Sequence, residues 1–313
     1  MPLTERKLIE NIKRVADAPA RVLARGIGDD CAILRPPRGH ELLVTTDFSL
    51  EDTHFRRPWH PAPSVGHRCL TRGLSDIAAM GGEPLAAFLS LALPPDLPQG
   101  WADGFLRGLL ALARRFHVPL AGGDIAESPG GVLADIVVVG SVRRGRALLR
   151  SGARPGDALY VTGALGGSAA ALIKLRQGEK LRPRAWPAHF FPEPRLEIGR
   201  SLQRLASAAI DLSDGLSTDL SHICQESGLG AVLYAESVPV ARRATLELAL
   251  HGGEDYELLF TSRQRVPQEI AGVRVTPIGE VLRERKIYLA DRTGRRALLR
   301  IRGWEHFRTT RRH

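Results

Sequence analysis

Acidic side chains recur in this chain at positions where a fold has little structural use for them. Gly26-Ile27-Gly28-Asp29-Asp30-Cys31-Ala32 places two adjacent carboxylates behind paired glycines. Thr45-Thr46-Asp47 and Gly122-Gly123-Asp124 each end an apolar run, and Asp211-Leu212-Ser213-Asp214-Gly215 follows another. Gly252-Gly253-Glu254-Asp255-Tyr256-Glu257 leads into Leu258-Leu259-Phe260, and Asp76 sits among Leu74, Ile77 and Ala78. Glycine lets the backbone take angles that aim neighbouring side chains into a shared space. Carboxylates gathered that way repel one another unless a hard cation lies between them, and oxygen donors without a Cys or His cluster suit Mg²⁺ rather than zinc. Mg²⁺ together with phosphates points to ATP chemistry. There is no Walker motif and no protein-kinase signature, so an ATP site here is of another kind. The candidate acids are Asp29, Asp30, Asp47, Asp76, Asp124, Asp211, Asp214 and Glu254.

The elements that must position them follow from hydrophobic periodicity. Helices are expected over 3–16, 64–80, 100–116, 168–176, 196–207, 216–227 and 241–250. Strands are expected over 41–47, 85–93, 118–121, 132–142, 157–162, 231–235, 258–260 and 273–280. Strands alternating with helices signal an α/β or α+β layer fold. The turn-rich break Ser151–Gly156 sets a boundary near 143–150, with one domain over 1–145 and a second over 146–313. Residues 178–195 are proline-rich and read as a loop.

Several positions carry a specific local expectation. Ser64 is placed to cap helix 64–80. Asp76 then falls in that helix's last turns, where the dipole disfavours an acid and a paired or metal-bound role is favoured. Ser213 or Asp214 is placed to cap helix 216–227, which leaves Asp211 unexplained. The turn Gly163-Ala164-Leu165-Gly166-Gly167 lacks both the Lys-Ser/Thr ending of a P-loop and the G-x-G-x-x-G spacing, so it reads as close packing of strand on helix.

Composition narrows the class. A hydrophobic fraction of 43% and a charged fraction of 25% are those of a soluble globular protein, and no segment approaches the roughly 20 apolar residues of a membrane helix. Three widely spaced cysteines, Cys31, Cys69 and Cys224, indicate neither a disulfide framework nor a zinc site and fit a reducing cytoplasm. The net charge is +10, but only five of the 44 basic residues are lysines and the arginines are scattered, with aromatics at 5%. That pattern does not form a nucleic-acid stripe.

The ordered set of motifs resembles the thiamine-monophosphate kinases. It comprises 26–32, Thr45-Thr46-Asp47, His54-Phe55, Leu74-Ser75-Asp76-Ile77-Ala78-Ala79-Met80-Gly81-Gly82, Gly122-Gly123-Asp124, 150–157, Asp211–Gly215 and 252–258, and the resemblance runs from about Glu5 to Phe307. It implies a two-domain aminoimidazole ribonucleotide synthetase-like fold. It implies a homodimer in which strands of the two N-terminal domains form a shared β-barrel. The implied reaction is transfer of the ATP γ-phosphoryl group to thiamine phosphate, assisted by several Mg²⁺ ions. Carried over position by position, Asp30, Thr45, Thr46, Asp47, Asp76, Asp124, Asp211 and Asp214 hold the metal ions. Gly123, Asp124, Arg150 and Ser213 contact ATP, and His54, Glu254 and Trp304 contact thiamine phosphate. No residue is assigned as a general base. Ile125 stands where the family often has threonine, and Phe48-Ser49-Leu50-Glu51-Asp52 is more acidic and apolar than the pattern. Two alternatives are another ATP-dependent member of the superfamily and a basic nucleic-acid-binding protein; the aimed acids would repel a phosphate backbone and argue against the latter.

Overall fold

The structure, a computed structural model, describes residues 5–16, 22–27 and 31–304. The chain forms two compact units, Met1–Ala147 with Lys180–Arg200, and Leu148–Glu179 with Ser201–His313.

The first unit begins with α1 (Glu5–Ala16) and a short antiparallel pair, β1 (Leu23–Arg25) and β2 (Ile33–Leu34). Then come β3 (His40–Leu50), α2 (Ala62–Ala79), β4 (Glu83–Leu93), α3 (Gln99–Arg115), β5 (Leu120–Glu127) and β6 (Leu133–Arg143). The sheet order is β3-β6-β4-β5, antiparallel except for the β4–β5 pair that α3 connects. The strands are longer than hydrophobicity alone indicates. β3 continues past Asp47 to Leu50, and β5 carries Gly122-Gly123-Asp124 inside the strand, because Phe88 to Leu93 pair with Gly122 to Glu127. Helix α2 starts at Ala62 after Pro61, so Ser64 lies inside the first turn and its hydroxyl donates to the Pro61 carbonyl at 2.8 Å instead of capping. Helices α2 and α3 meet backbone to backbone: a Cβ at Gly66 would lie 1.9 Å from the Phe105 carbonyl oxygen, and one at Gly108 1.8 Å from that of Pro63. Only glycine permits that approach.

The second unit holds β7 (Ala158–Thr162) and α4 (Gly167–Arg176). Between them and its remaining elements the chain passes through 180–200, which belongs to the first unit. That passage is not a plain loop. It contains a 3₁₀ turn over Pro183–Ala185, the single-turn α5 (Pro187–Phe190) and the start of α6 (Leu196–Leu202). His189 and Phe190 are fully buried, and a His189 ring nitrogen lies 2.9 Å from one on His60. His67 Nε2 donates to the Pro192 carbonyl at 2.8 Å.

The second unit continues with β8 (Ala208–Asp211), α7 (Leu216–Ser227), β9 (Gly230–Tyr234), α8 (Leu246–His251), β10 (Leu258–Ser262), β11 (Glu269–Ile270), β12 (Val273–Leu282), β13 (Ile287–Ala290) and β14 (Arg296–Leu298). Its main sheet has the order β14-β13-β9-β12-β7-β10-β8. Leu159, Val161, Ile210, Leu216, Leu220, Ala231, Leu233, Leu259 and Ile278 form its core. Helix α8 is shorter than its periodicity suggests because Arg243 turns back with φ 73° and Thr245 caps from there, its hydroxyl accepting the Leu248 amide at 3.3 Å.

Candidate functional site

Acids collect in each unit. In the first unit, side chains alternate across β3, so Thr45 and Asp47 share the face against α2, while Thr46 faces the other way. Asp76, in the last turn of α2, accepts a short hydrogen bond from the Thr45 hydroxyl. Burial, and next the Asp76 carboxylate, push the Asp47 carboxyl up to about 7, with Asp135 adding to the rise and Arg72 opposing it. Thr45, Asp47 and Asp76 are therefore one cluster. Thr46 is not part of it; its hydroxyl donates to Asp135 at 2.7 Å on the opposite face.

The β4, β5 and β6 registers align Asp135, Ser90 and Asp124 in one row across the sheet. Asp124 and Asp135 are two strand spacings apart, roughly 10 Å. Asp124 is exposed and accepts the Ile125 amide at 2.9 Å, beside Gly123 with φ 149°. Sequence reasoning missed Asp135 and Arg72. The alternation that picks out Asp47 would have found Asp135 only with the β3–β6 register in hand. Asp29 and Asp30 lie outside the described residues.

His54 sits in the turn after β3. The Leu50 amide donates to its Nδ1 at 3.0 Å, which leaves the proton of the neutral ring on Nε2. Arg68, buried on α2, donates to the His54 carbonyl at 3.3 Å. Phe48 is half exposed, and Glu51 is held by Arg57 at 2.5 Å and by the Val132 amide at 2.9 Å.

In the second unit, Asp211 ends β8 and is buried at 4% exposure. The segment after it pairs with the Gly252–Glu257 turn: the Glu254 amide donates to the Ser213 carbonyl at 2.7 Å, and the Tyr256 amide to that of Leu212 at 2.9 Å. The Trp304 amide donates to the Asp214 carbonyl at 3.0 Å. Ser213, Asp214, Glu254 and Trp304, separated by up to 91 positions, are thereby joined through their backbones. Trp304 keeps its ring half exposed, and Arg150 stands exposed on a 3₁₀ turn that the Ser227 hydroxyl ties down at its carbonyl.

Neither Ser213 nor Asp214 caps α7. Gly215 holds the cap position, and Asp219 reaches back to accept the Gly215 amide at 3.0 Å and the Asp214 amide at 3.2 Å. Burial, then Asp211 and Asp214, hold the Asp219 carboxyl well above the usual carboxylate range, against those two amide bonds. One ligand atom each of Asp214, Asp219 and His222 lie within 4.8 Å of one another. Sequence reasoning missed Asp219 and His222; the i, i+4 spacing from Gly215 was the available signal for Asp219.

Both clusters suit a divalent cation. Asp211 and Asp219 are buried, and Asp47, Asp76 and Asp214 partly buried, beside like charges, and a cation relieves that repulsion. The donor set of the first cluster is all oxygen, as Mg²⁺ prefers; His222 adds one nitrogen near the second.

The AIR synthase related protein, N-terminal domain, matches residues 28–142, and the AIR synthase related protein, C-terminal domain, matches residues 154–291. A thiamine-monophosphate kinase of Salmonella typhimurium is 38% identical, over 91% of this chain and 92% of its own. The crystal structure of the thiamine-monophosphate kinase of Stenotrophomonas maltophilia is 33% identical with a TM-score of 0.82, over 95% and 99% of the two chains. AaThiL complexed with AMPPCP and TMP is 31% identical with a TM-score of 0.78, over 97% of each chain. Matched through both of its domains and at that identity, the chain belongs to the AIR synthase related proteins and, among them, to the thiamine-monophosphate kinases.

Proposed function

We propose that this protein phosphorylates thiamine phosphate at the expense of ATP, giving thiamine diphosphate and ADP by direct in-line transfer. The observation that carries the reading is the pair of partly buried acid clusters, Thr45–Asp47–Asp76 and Asp211–Asp214–Asp219, in a chain 38% identical to a thiamine-monophosphate kinase. A related enzyme has been seen complexed with AMPPCP and TMP, which supports both substrates.

The reacting groups of both substrates are anionic phosphates, so their approach must be offset by positive charge. Several Mg²⁺ ions, when bound, supply that charge and organise the phosphate oxygens. Asp47, Asp76 and Thr45 in one unit and Asp211 and Asp214 in the other are the residues to hold them, with Asp124, Thr46 and Asp30 completing the proposed set. The exposed guanidinium of Arg150 meets the nucleotide phosphates, with Gly123 and Ser213 as further contacts. His54 offers its Nε2–H as a donor to the acceptor phosphate. Glu254 and the half-exposed face of Trp304 attract the fixed positive charge of the thiazolium ring. The attacking oxygen belongs to a phosphate that is largely ionised at neutral pH. No general base is required, and the protein's work is positioning and electrostatic stabilisation.

A homodimer and a cytoplasmic location complete the reading. Among the described residues strand β3 pairs only with β6, and its outward face exposes Leu42, Val44 and Phe48 at 53%, 67% and 54%. An apolar edge strand of that length is an aggregation liability unless covered, and a second copy closing a barrel over it would provide the cover.

The test is a coupled ADP-release assay with Mg²⁺-ATP, with and without thiamine phosphate, followed by mass detection of the product. Thiamine diphosphate formed only with both substrates and Mg²⁺ supports the reading. ATP binding without stimulation by thiamine phosphate moves the protein to a sister activity.

A further inference from the structure

The glycine-rich turn between β7 and α4, set aside above as close packing, has an occupant. The Gly166 amide donates to Asp255 Oδ2 at 2.7 Å and the Ser168 amide to Asp255 Oδ1 at 3.5 Å. A carboxylate of the protein itself thus sits at the start of α4, where other folds put a phosphate. Two residues on, Glu257 accepts the Thr162 hydroxyl at 2.5 Å, and that hydroxyl in turn accepts the Leu258 amide at 2.9 Å. Gly163, with φ 60°, leaves room for Glu257: a Cβ there would lie 2.1 Å from Glu257 Oε1. Asp255 and Glu257 are both buried, so these bonds are made out of water.

The residues between and before them are in a conformation that side chains rarely adopt. Glu254 has φ 66° and Tyr256 has φ 52°, and Tyr256 is 2% exposed. Positive φ at two non-glycine residues persists only where the surroundings over-determine it, and such places cluster at functional sites. Here the anchors are the two carboxylates, the buried Tyr256 ring and the amide bonds from Glu254 to Ser213 and from Tyr256 to Leu212.

We propose that Asp255 is a positioning residue: seated on the Gly166 and Ser168 amides, it clamps the Gly252–Glu257 turn so that Glu254 stands beside Ser213 and Asp214, ready for the acceptor. The functional consequence rests on the assignment of Glu254 to thiamine phosphate given above. Glu257, seated through Thr162, is the second point of the same clamp. The glycine-rich turn therefore serves substrate recognition through an intervening carboxylate and binds no nucleotide itself.

The test uses the full chain with Asp255→Asn and Asp255→Ala, each varied in thiamine phosphate at saturating ATP and in ATP at saturating thiamine phosphate. Asp255→Ala raises KM for thiamine phosphate about tenfold or more and leaves KM for ATP within about twofold. Asp255→Asn, which keeps one oxygen acceptor, falls between it and the parent. In the Glu254→Gln background, Asp255→Asn adds no further loss, since the two act as a unit. A lower melting temperature with unchanged kinetics of the folded protein overturns the proposal, because it assigns Asp255 to stability alone. Should Glu254→Gln itself leave KM for thiamine phosphate unchanged, the acceptor assignment fails, and hydrogen exchange decides the clamp independently. The Glu254 and Tyr256 amides then exchange about tenfold faster in Asp255→Asn while the β10 amides do not change. Equal exchange at Glu254 and Tyr256 overturns it.

Discussion

Asp47 and Asp76 stand against each other across the contact between β3 and α2, and the side chain of Asp76 helps raise the Asp47 carboxyl to about 7. Two acids held this way form a poor structural pair and a good cation site. Mg²⁺ at about 100 times its Kd should stabilise the protein by about 2.7 kcal/mol. Asp47→Asn should remove most of that gain in a thermal-shift titration. An undiminished Mg²⁺ shift in the variant would take Asp47 out of the metal set.

Asp211→Asn keeps the volume of a side chain that is 4% exposed and deletes its charge. Turnover is expected to fall at least about a hundredfold, as for loss of a ligand-shell group. The far-ultraviolet circular dichroism should match that of the parent. Retained activity would remove Asp211 from the site.

Asp219 has a different task. Its carboxylate serves the Gly215 and Asp214 amides, so Asp219→Ala should cost about 1–2 kcal/mol of stability through the lost cap. Chemical denaturation measures this directly. An unchanged midpoint would mean that water replaces the carboxylate at no cost.

His67 gives the first unit an acid-sensitive point. Burial is the main cause holding its ring below the usual histidine range. A depressed folded value means that the unfolded chain binds the proton first. The stabilising contribution of the neutral ring is present above about pH 6.5, and it is lost as pH falls through the lower folded value. His67→Gln, which can still donate to Pro192, should flatten that decline between pH 7.5 and 5. Parallel stability curves for parent and variant would refute it.

The outward face of β3 is open to a direct test. Val44→Arg places a charge on a residue that is 67% exposed, so the isolated fold should tolerate it. Light scattering should report a dimer for the parent and a monomer for the variant. A monomeric parent would leave that apolar face without its proposed cover.

The legible parts of this sequence were those set by local pattern. The 216–227 helix and the strand at 157–162 follow from periodicity, and the carboxylates were marked by glycines and by their place at the ends of apolar runs. What pattern could not give was partnership. Thr45 and Thr46 are chemically alike and adjacent, yet strand alternation sends one to Asp76 and the other to Asp135. Asp255 looked like one more acid in an acidic motif, and its role depends on a helix start 89 residues earlier. Capping by Asp219 in place of Ser213 or Asp214 turned on the dihedral angles of Gly215, which the sequence does not state.

The return of 180–200 to the first unit bears on how the protein is made. His60 and His67 are buried against His189 and Pro192, which follow them by more than 120 positions. On a ribosome adding about 5–20 residues per second, the first unit waits roughly 2–9 seconds after its leading segment for that cover, while β7 and α4 of the second have already been made. Its cover is therefore made only after part of the second unit. A gene fragment ending near 147 would encode the sheet and both of its long helices, yet leave these histidines bare to the nascent-chain chaperones.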